Sequence, residues 1–238
     1  MRPLLVLTVS AIFAAAASSA EPKPSGNSLA RWTDGAPGSN FTRTQDGKYV
    51  YGLKNGDLEI SVTIDSQELQ KVRHRPLPVF AVRLNAQYTG PKSFELRPNG
   101  ITLEFVNHYQ VVRSVLDPDE LAQRIQNDID NLGTETEREV RRHPERKQGQ
   151  ESLLQAHLKD MTDLVGFVSL HGLREITLTP DNPTAAGWVF FDTNSKWIGK
   201  WKSQEQFLLT LHVEDKIFVF PFALPPRKGY LGLRRRPD

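Results

Sequence analysis

"KYVYGLKNGDLEISVTID", Lys48 to Asp65, is the stretch on which the fold turns. Two strand-like runs flank Asn55-Gly56, and in the second run Leu58, Ile60, Val62 and Ile64 alternate with Glu59, Ser61, Thr63 and Asp65. An Asn-Gly pair between such runs predicts a hairpin, because both residues tolerate the positive φ of a type I′ turn. The strict alternation predicts one apolar and one wet face.

The same period recurs outward from this hairpin. Phe80, Val82 and Leu84 follow it, then Phe94 and Leu96, then Ile101, Leu103 and Phe105. Beyond a charged middle come Ile176 and Leu178, then Phe207, Leu209, Leu211 and Val213, with Glu214-Asp215 turning the chain into Ile217 to Phe220. Strands that are apolar on one face must cover that face with another layer. Many short ones punctuated by turns predict a mainly β fold, an antiparallel β-sandwich.

The middle has a different period. Asp117-Pro118-Asp119-Glu120 combines an N-cap acid, a proline at the first helical position and a glutamate three residues after the cap. Leu121, Ile125, Ile129 and Leu132 then recur at helical spacing up to about Arg142, where His143-Pro144 ends the run. Leu154, Leu158, Met161, Val165 and Val168 repeat the pattern as far as His171 and Gly172, where a glycine cap is expected. This predicts an α-helical hairpin at about 117–172, inserted between two groups of strands.

Taken together, Pro78 to Leu84, Phe94 to Leu103, Leu116 to Leu121 and Gly187 to Phe191 resemble uncharacterised bacterial exported proteins that carry an immunoglobulin-like sandwich with a helical insertion. The resemblance spans Lys48 to Pro225. It implies the fold and an envelope location, and no catalytic residue.

The ends read differently. MRPLLVLTVSAIFAAAASSA has a basic start, a short apolar run and small residues before Glu21, the pattern of a signal peptide over 1–20. Residues 21–46 are rich in Pro, Gly, Ser and Asn and predict a flexible leader; 47–225 form the folded domain, and 226–238 a basic tail containing Arg234-Arg235-Arg236. Localisation is therefore expected to be exported, periplasmic or extracellular, with no stable membrane insertion once the signal is removed. With 30 basic and 28 acidic residues, no nucleic acid partner is expected. The absence of cysteine excludes disulfides and thiol catalysis.

No Gly-x-Ser-x-Gly elbow, phosphate loop or dinucleotide fingerprint occurs, and no two acids stand out as a glycoside-cleaving pair. His157, Asp160 and Met161 lie close enough on one helix to suggest a soft-metal patch, but Met161 also belongs to the apolar seam. The expectation is a non-enzymatic chain without a cofactor.

Two binding surfaces are expected. Residues 117–163 hold twelve acids and seven bases, with Arg138, Arg141 and Arg142 at the hairpin tip. That insertion is read as presented to another envelope protein. In GWVFFDTNSKWIGKWK, Gly187 to Lys202, the first half is apolar on both faces and belongs between two layers, with Trp188 assigned to the core. In the second half Trp197 and Trp201 share one face, with Lys200 on the other. That aromatic strip suits either a glycan or an apolar layer of the protein itself.

Overall fold

The computed structural model describes residues 28–75, 77–108, 111–144, 147–193 and 204–224. The expected signal peptide and basic tail fall outside these residues.

The hairpin forms from β3 (Lys48–Asn55) and β4 (Leu58–Asp65). Asn55 pairs with Leu58, so the loop is Gly56-Asp57, one residue later than expected. Of these residues only Gly56 has positive φ, +61°, which matches a type II′ turn with glycine first rather than type I′. Asn55 instead ends the strand. Its amide donates to the Ser28 carbonyl at 3.1 Å, and its side-chain oxygen accepts from the Ser28 hydroxyl at 3.0 Å.

Ten strands join one continuous, curled sheet. Besides β3 and β4 these are β1 (Ser28–Arg31), β2 (Ser39–Arg43), β5 (Val79–Tyr88), β7 (Ile101–Phe105), β8 (Val112–Leu116), β10 (Thr184–Asp192), β11 (Glu205–Val213) and β12 (Lys216–Leu224). The order is β1-β12-β11-β7-β8-β10-β5-β4-β3-β2, with β1 parallel to β12 and the other pairs antiparallel. β6 (Phe94–Leu96) and β9 (Ile176–Leu178) make a separate two-stranded sheet.

The curl brings the two halves of the sheet face to face. Phe207 of β11 stacks on Phe222 of β12 at 5.1 Å between ring centroids and meets Phe80 of β5 at 5.3 Å, while Tyr51 of β3 reaches Phe222 at 6.4 Å. Alternation decides which residues enter this core. Leu58, Ile60, Val62 and Ile64 are all buried in it, and their neighbours Glu59, Ser61, Thr63 and Asp65 face outward.

Residues 28–46 correct the flexible-leader reading. They supply β1 and β2, the two edges of the sheet. The segment orders because Trp32, only 4% exposed, packs edge-on to Tyr51 at 4.9 Å, and its indole Nε1 donates to the Asn40 carbonyl at 2.9 Å. Trp32, joined by Phe41 at 6.2 Å, offsets the ordering entropy of a stretch that is mostly polar.

A short helix, α1 (Glu68–His74), precedes β5. Glu68 is 2% exposed and forms a bidentate ion pair with Arg75, and Glu68 Oε1 also accepts from the Ala81 amide at 2.7 Å. Arg75 completes the clamp by donating to the Val79 carbonyl at 2.6 Å. The pair thereby fixes where β5 starts.

Two 25-residue helices, α2 (Pro118–Arg142) and α3 (Lys147–His171), pack on the outer face of β5 and β10. The Asp117 carboxylate caps α2, accepting from the amides of Asp119 at 2.8 Å and Glu120 at 3.0 Å. At the end of α3, Gly172 is not in the left-handed region, so the expected glycine cap is absent. A Cβ there would lie 2.5 Å from Pro118 Cβ, so glycine is required by close packing of the α3 terminus on the α2 start.

Candidate functional site at the distal helix groove

Burial divides each long helix in two. The buried residues of α2 are Pro118, Leu121 and Ile125, all in its first turns, and those of α3 are Met161 and Val168. These residues share a cluster with Val79 and Ala81 of β5 and Phe190 of β10. In β10, Val189 and Phe191 point into the sheet core while Phe190 meets the helices, so this strand is apolar on both faces as its sequence predicts. Trp188 is half-buried at the margin of the helix cluster rather than in the core.

Arg174 ties the two helices together at this proximal end. It donates to Asp119 Oδ1 at 2.6 Å and to the Ser169 carbonyl at 3.0 Å, and the guanidinium holds the Asp119 carboxyl below its usual range.

Beyond Leu132 no apolar residue of α2 packs against this cluster among the described residues. At about 1.5 Å of rise per residue each helix is about 37 Å long, and roughly its distal half has no fully buried side chain among those described. Between these distal halves lies a groove of about 630 Å³ lined by Leu132, Glu135, Thr136 and Glu139 of α2 and by Leu153, Leu154 and His157 of α3. Positions 132, 135, 136 and 139 follow the i, i+3, i+4, i+7 pattern of one helical face. The leucines are the apolar part, and Leu153 is 74% exposed. Among the lining residues the only formal charges outside histidine are two carboxylates, Glu135 and Glu139.

The expected tip cations stand beyond this groove. Arg138, Arg141 and Arg142 are exposed on the last turns of α2, where they complement the helix dipole, and Arg141 approaches Glu137 at 3.8 Å across open solvent. Trp197, Lys200 and Trp201 fall outside the described residues. The suggested patch of His157, Asp160 and Met161 is not assembled, since Met161 is buried against α2 while His157 faces the groove. No group of three metal-ligating side chains occurs among the described residues.

One carboxylate pair does form. Glu95 and Glu175 hydrogen-bond each other at the surface, which lowers the pKa of Glu95 and raises that of Glu175. Arg97 bonds Glu95 at 2.7 Å and lies 3.4 Å from Glu175.

Leu153 and Leu170, both more than two-thirds exposed, are the residues that seam counting misses, because each lies one or two positions off the buried stripe. The signal that finds them is an apolar residue on the wet face of an amphipathic helix. Among the described residues no helix is long and apolar enough to cross a membrane. No protein-family model, no curated protein and no solved structure matches this chain.

Proposed function

We propose that this chain is a non-enzymatic, exported binding module. In this reading an immunoglobulin-like scaffold carries α2 and α3 as a helical hairpin, and the distal hairpin docks a basic amphipathic helix of another envelope protein. The observation that supports it is the groove at Leu132, Leu153 and Leu154, an apolar strip left open on two helices beyond their fully buried residues. Helix-in-groove recognition uses apolar anchors for affinity and charged rims for orientation. Glu135 and Glu139 select a cationic rim on the partner. The signal-peptide pattern of the first twenty residues supports the exported location.

The test is photo-crosslinking from position 153. A photoreactive residue replacing Leu153 should trap a discrete partner carrying a Lys- or Arg-rich helix, whereas the same residue replacing Lys92, beyond the far end of β5, should not. Reversing both groove charges, Glu135→Lys with Glu139→Lys, should lower the yield about tenfold, the effect of roughly 1.4 kcal/mol. Equal yields from positions 153 and 92, or indifference to the charge reversal, would count against this function.

A further inference from the structure

The helices cover one end of the outer face of β5 and β10, and the other end, continuous with the outer face of β4, is open. Register places three rows across it: Glu59, Gln87 and Thr184; Ser61, Asn85 and Ala186; and Thr63, Arg83 and Trp188. The first two rows line a trough of about 300 Å³, within the size range of small-ligand sites. Ser61 and Ala186 keep its floor low, while the longer side chains stand around them. Trp188, two residues beyond Ala186 on the same face, stands in the next row toward the helices, its ring braced edge-on by Phe167 at 5.5 Å.

The polar groups of the trough are largely uncommitted. Asn85 donates to the Ser61 hydroxyl at 3.3 Å, and Glu59, Gln87 and Thr184 make no side-chain hydrogen bond or ion pair among the described residues. All five are mounted on interior strands, which fixes their spacing.

The chemistry narrows the ligand. An extended peptide adds to a strand edge, whereas the trough lies on the face of the sheet, where β4 and β5 are paired on both sides and β10 pairs with β5 along its whole length. An apolar ligand would take water from Glu59, Asn85, Gln87 and Thr184 without replacing its hydrogen bonds. A polyanion needs clustered cations, yet here Glu59 offsets Arg83. A neutral polyhydroxylated ring system satisfies the remaining pattern, with amides and hydroxyls for its hydroxyl groups and the Ala186 methyl, with the Trp188 indole in the next row, for its C–H face. We infer that this trough binds a neutral oligosaccharide, independently of the helix groove.

Calorimetric titration of the full chain with chitotetraose, cellotetraose and maltotetraose tests this, each sugar up to about 10 mM so that affinities near 1 mM register. At least one should saturate. Ala186→Trp fills the trough at an exposed position and should abolish binding. Asn85→Ala with Gln87→Ala should weaken it about tenfold, two hydrogen bonds of roughly 1 kcal/mol each less partial recovery by water. Circular dichroism and thermal melting confirm that the variants fold. Glu135→Lys with Glu139→Lys should leave sugar binding unchanged, which separates this site from the hairpin. Absence of saturation by all three sugars, or full affinity in folded Ala186→Trp, would overturn the inference.

Discussion

Trp32 Nε1 donates to the carbonyl of Asn40 at 2.9 Å, and this bond joins the segment leaving one edge strand, β1, to the opposite edge strand, β2. A curled sheet of ten strands is left with two edges, each a row of unpaired backbone groups. The indole caps one of those groups while its ring fills the space beside Tyr51 and Phe41. We expect Trp32→Phe to destabilise the protein by about 1 kcal/mol, the value of one hydrogen bond. Trp32→Ala should cost about 3–5 kcal/mol through the cavity it leaves. Urea denaturation followed by far-ultraviolet circular dichroism distinguishes the two values.

Glu68 and Arg75 make a prediction by their coupling. Glu68→Ala removes the carboxylate but leaves the three-quarters-covered Arg75 guanidinium and the Ala81 amide without it. The loss should be about 3 kcal/mol, the lower end for breaking a buried pair because Arg75 retains some solvent. Adding Arg75→Ala should recover part of that loss. A double-mutant cycle in urea gives the coupling directly, and purely additive losses would mean that the two side chains act separately.

Tyr51 sets an alkaline limit. Burial pushes its phenol pKa above the ordinary range, with the neighbouring Tyr49 adding to the shift. The unfolded phenol ionises near about 10 whereas the folded one stays protonated. Above that pH the unfolded state binds fewer protons, so stability is intact below about 10 and falls as pH rises further. Stability measured at intervals between pH 8 and about 11.5 should decline less steeply in Tyr51→Phe than in the parent. Parallel slopes would place the alkaline loss on other groups.

Local chemistry accounts for what the sequence revealed. The strand of Leu58 to Ile64, the cap at Asp117 and the helix stop at His143-Pro144 each have a cause within a few residues, and each is present in the structure. Ser28–Arg31 and Ser39–Arg43 were unreadable as strands because they hold few apolar residues and are ordered by Trp32 packing across the sheet. β8 was missed because Val112 to Leu116 does not alternate cleanly, although this strand joins β7 to β10 and makes the sheet continuous. The helix groove and the sheet trough are juxtapositions of distant segments. Leu132 beside Leu154 and Ser61 beside Asn85 have no signature in either segment alone.

Burial predicts opposite outcomes for two apolar residues of the helices. Ile125 is fully buried against β5 and β10, so Ile125→Ala should cost about 2–5 kcal/mol. Leu153 is mostly in solvent, and Leu153→Ala should change stability by no more than about 0.5 kcal/mol while weakening partner crosslinking from a neighbouring position. Thermal melts of the two variants side by side compare them.

The most direct measurement replaces residues 133–156 with a short Gly-Ser turn, then compares folding and partner recovery with those of the intact chain. If the distal hairpin is a docking surface carried by a self-sufficient sheet, the shortened protein keeps its β circular dichroism and melts within a few degrees of the parent but recovers no partner. Undiminished recovery by the folded, shortened protein would contradict it.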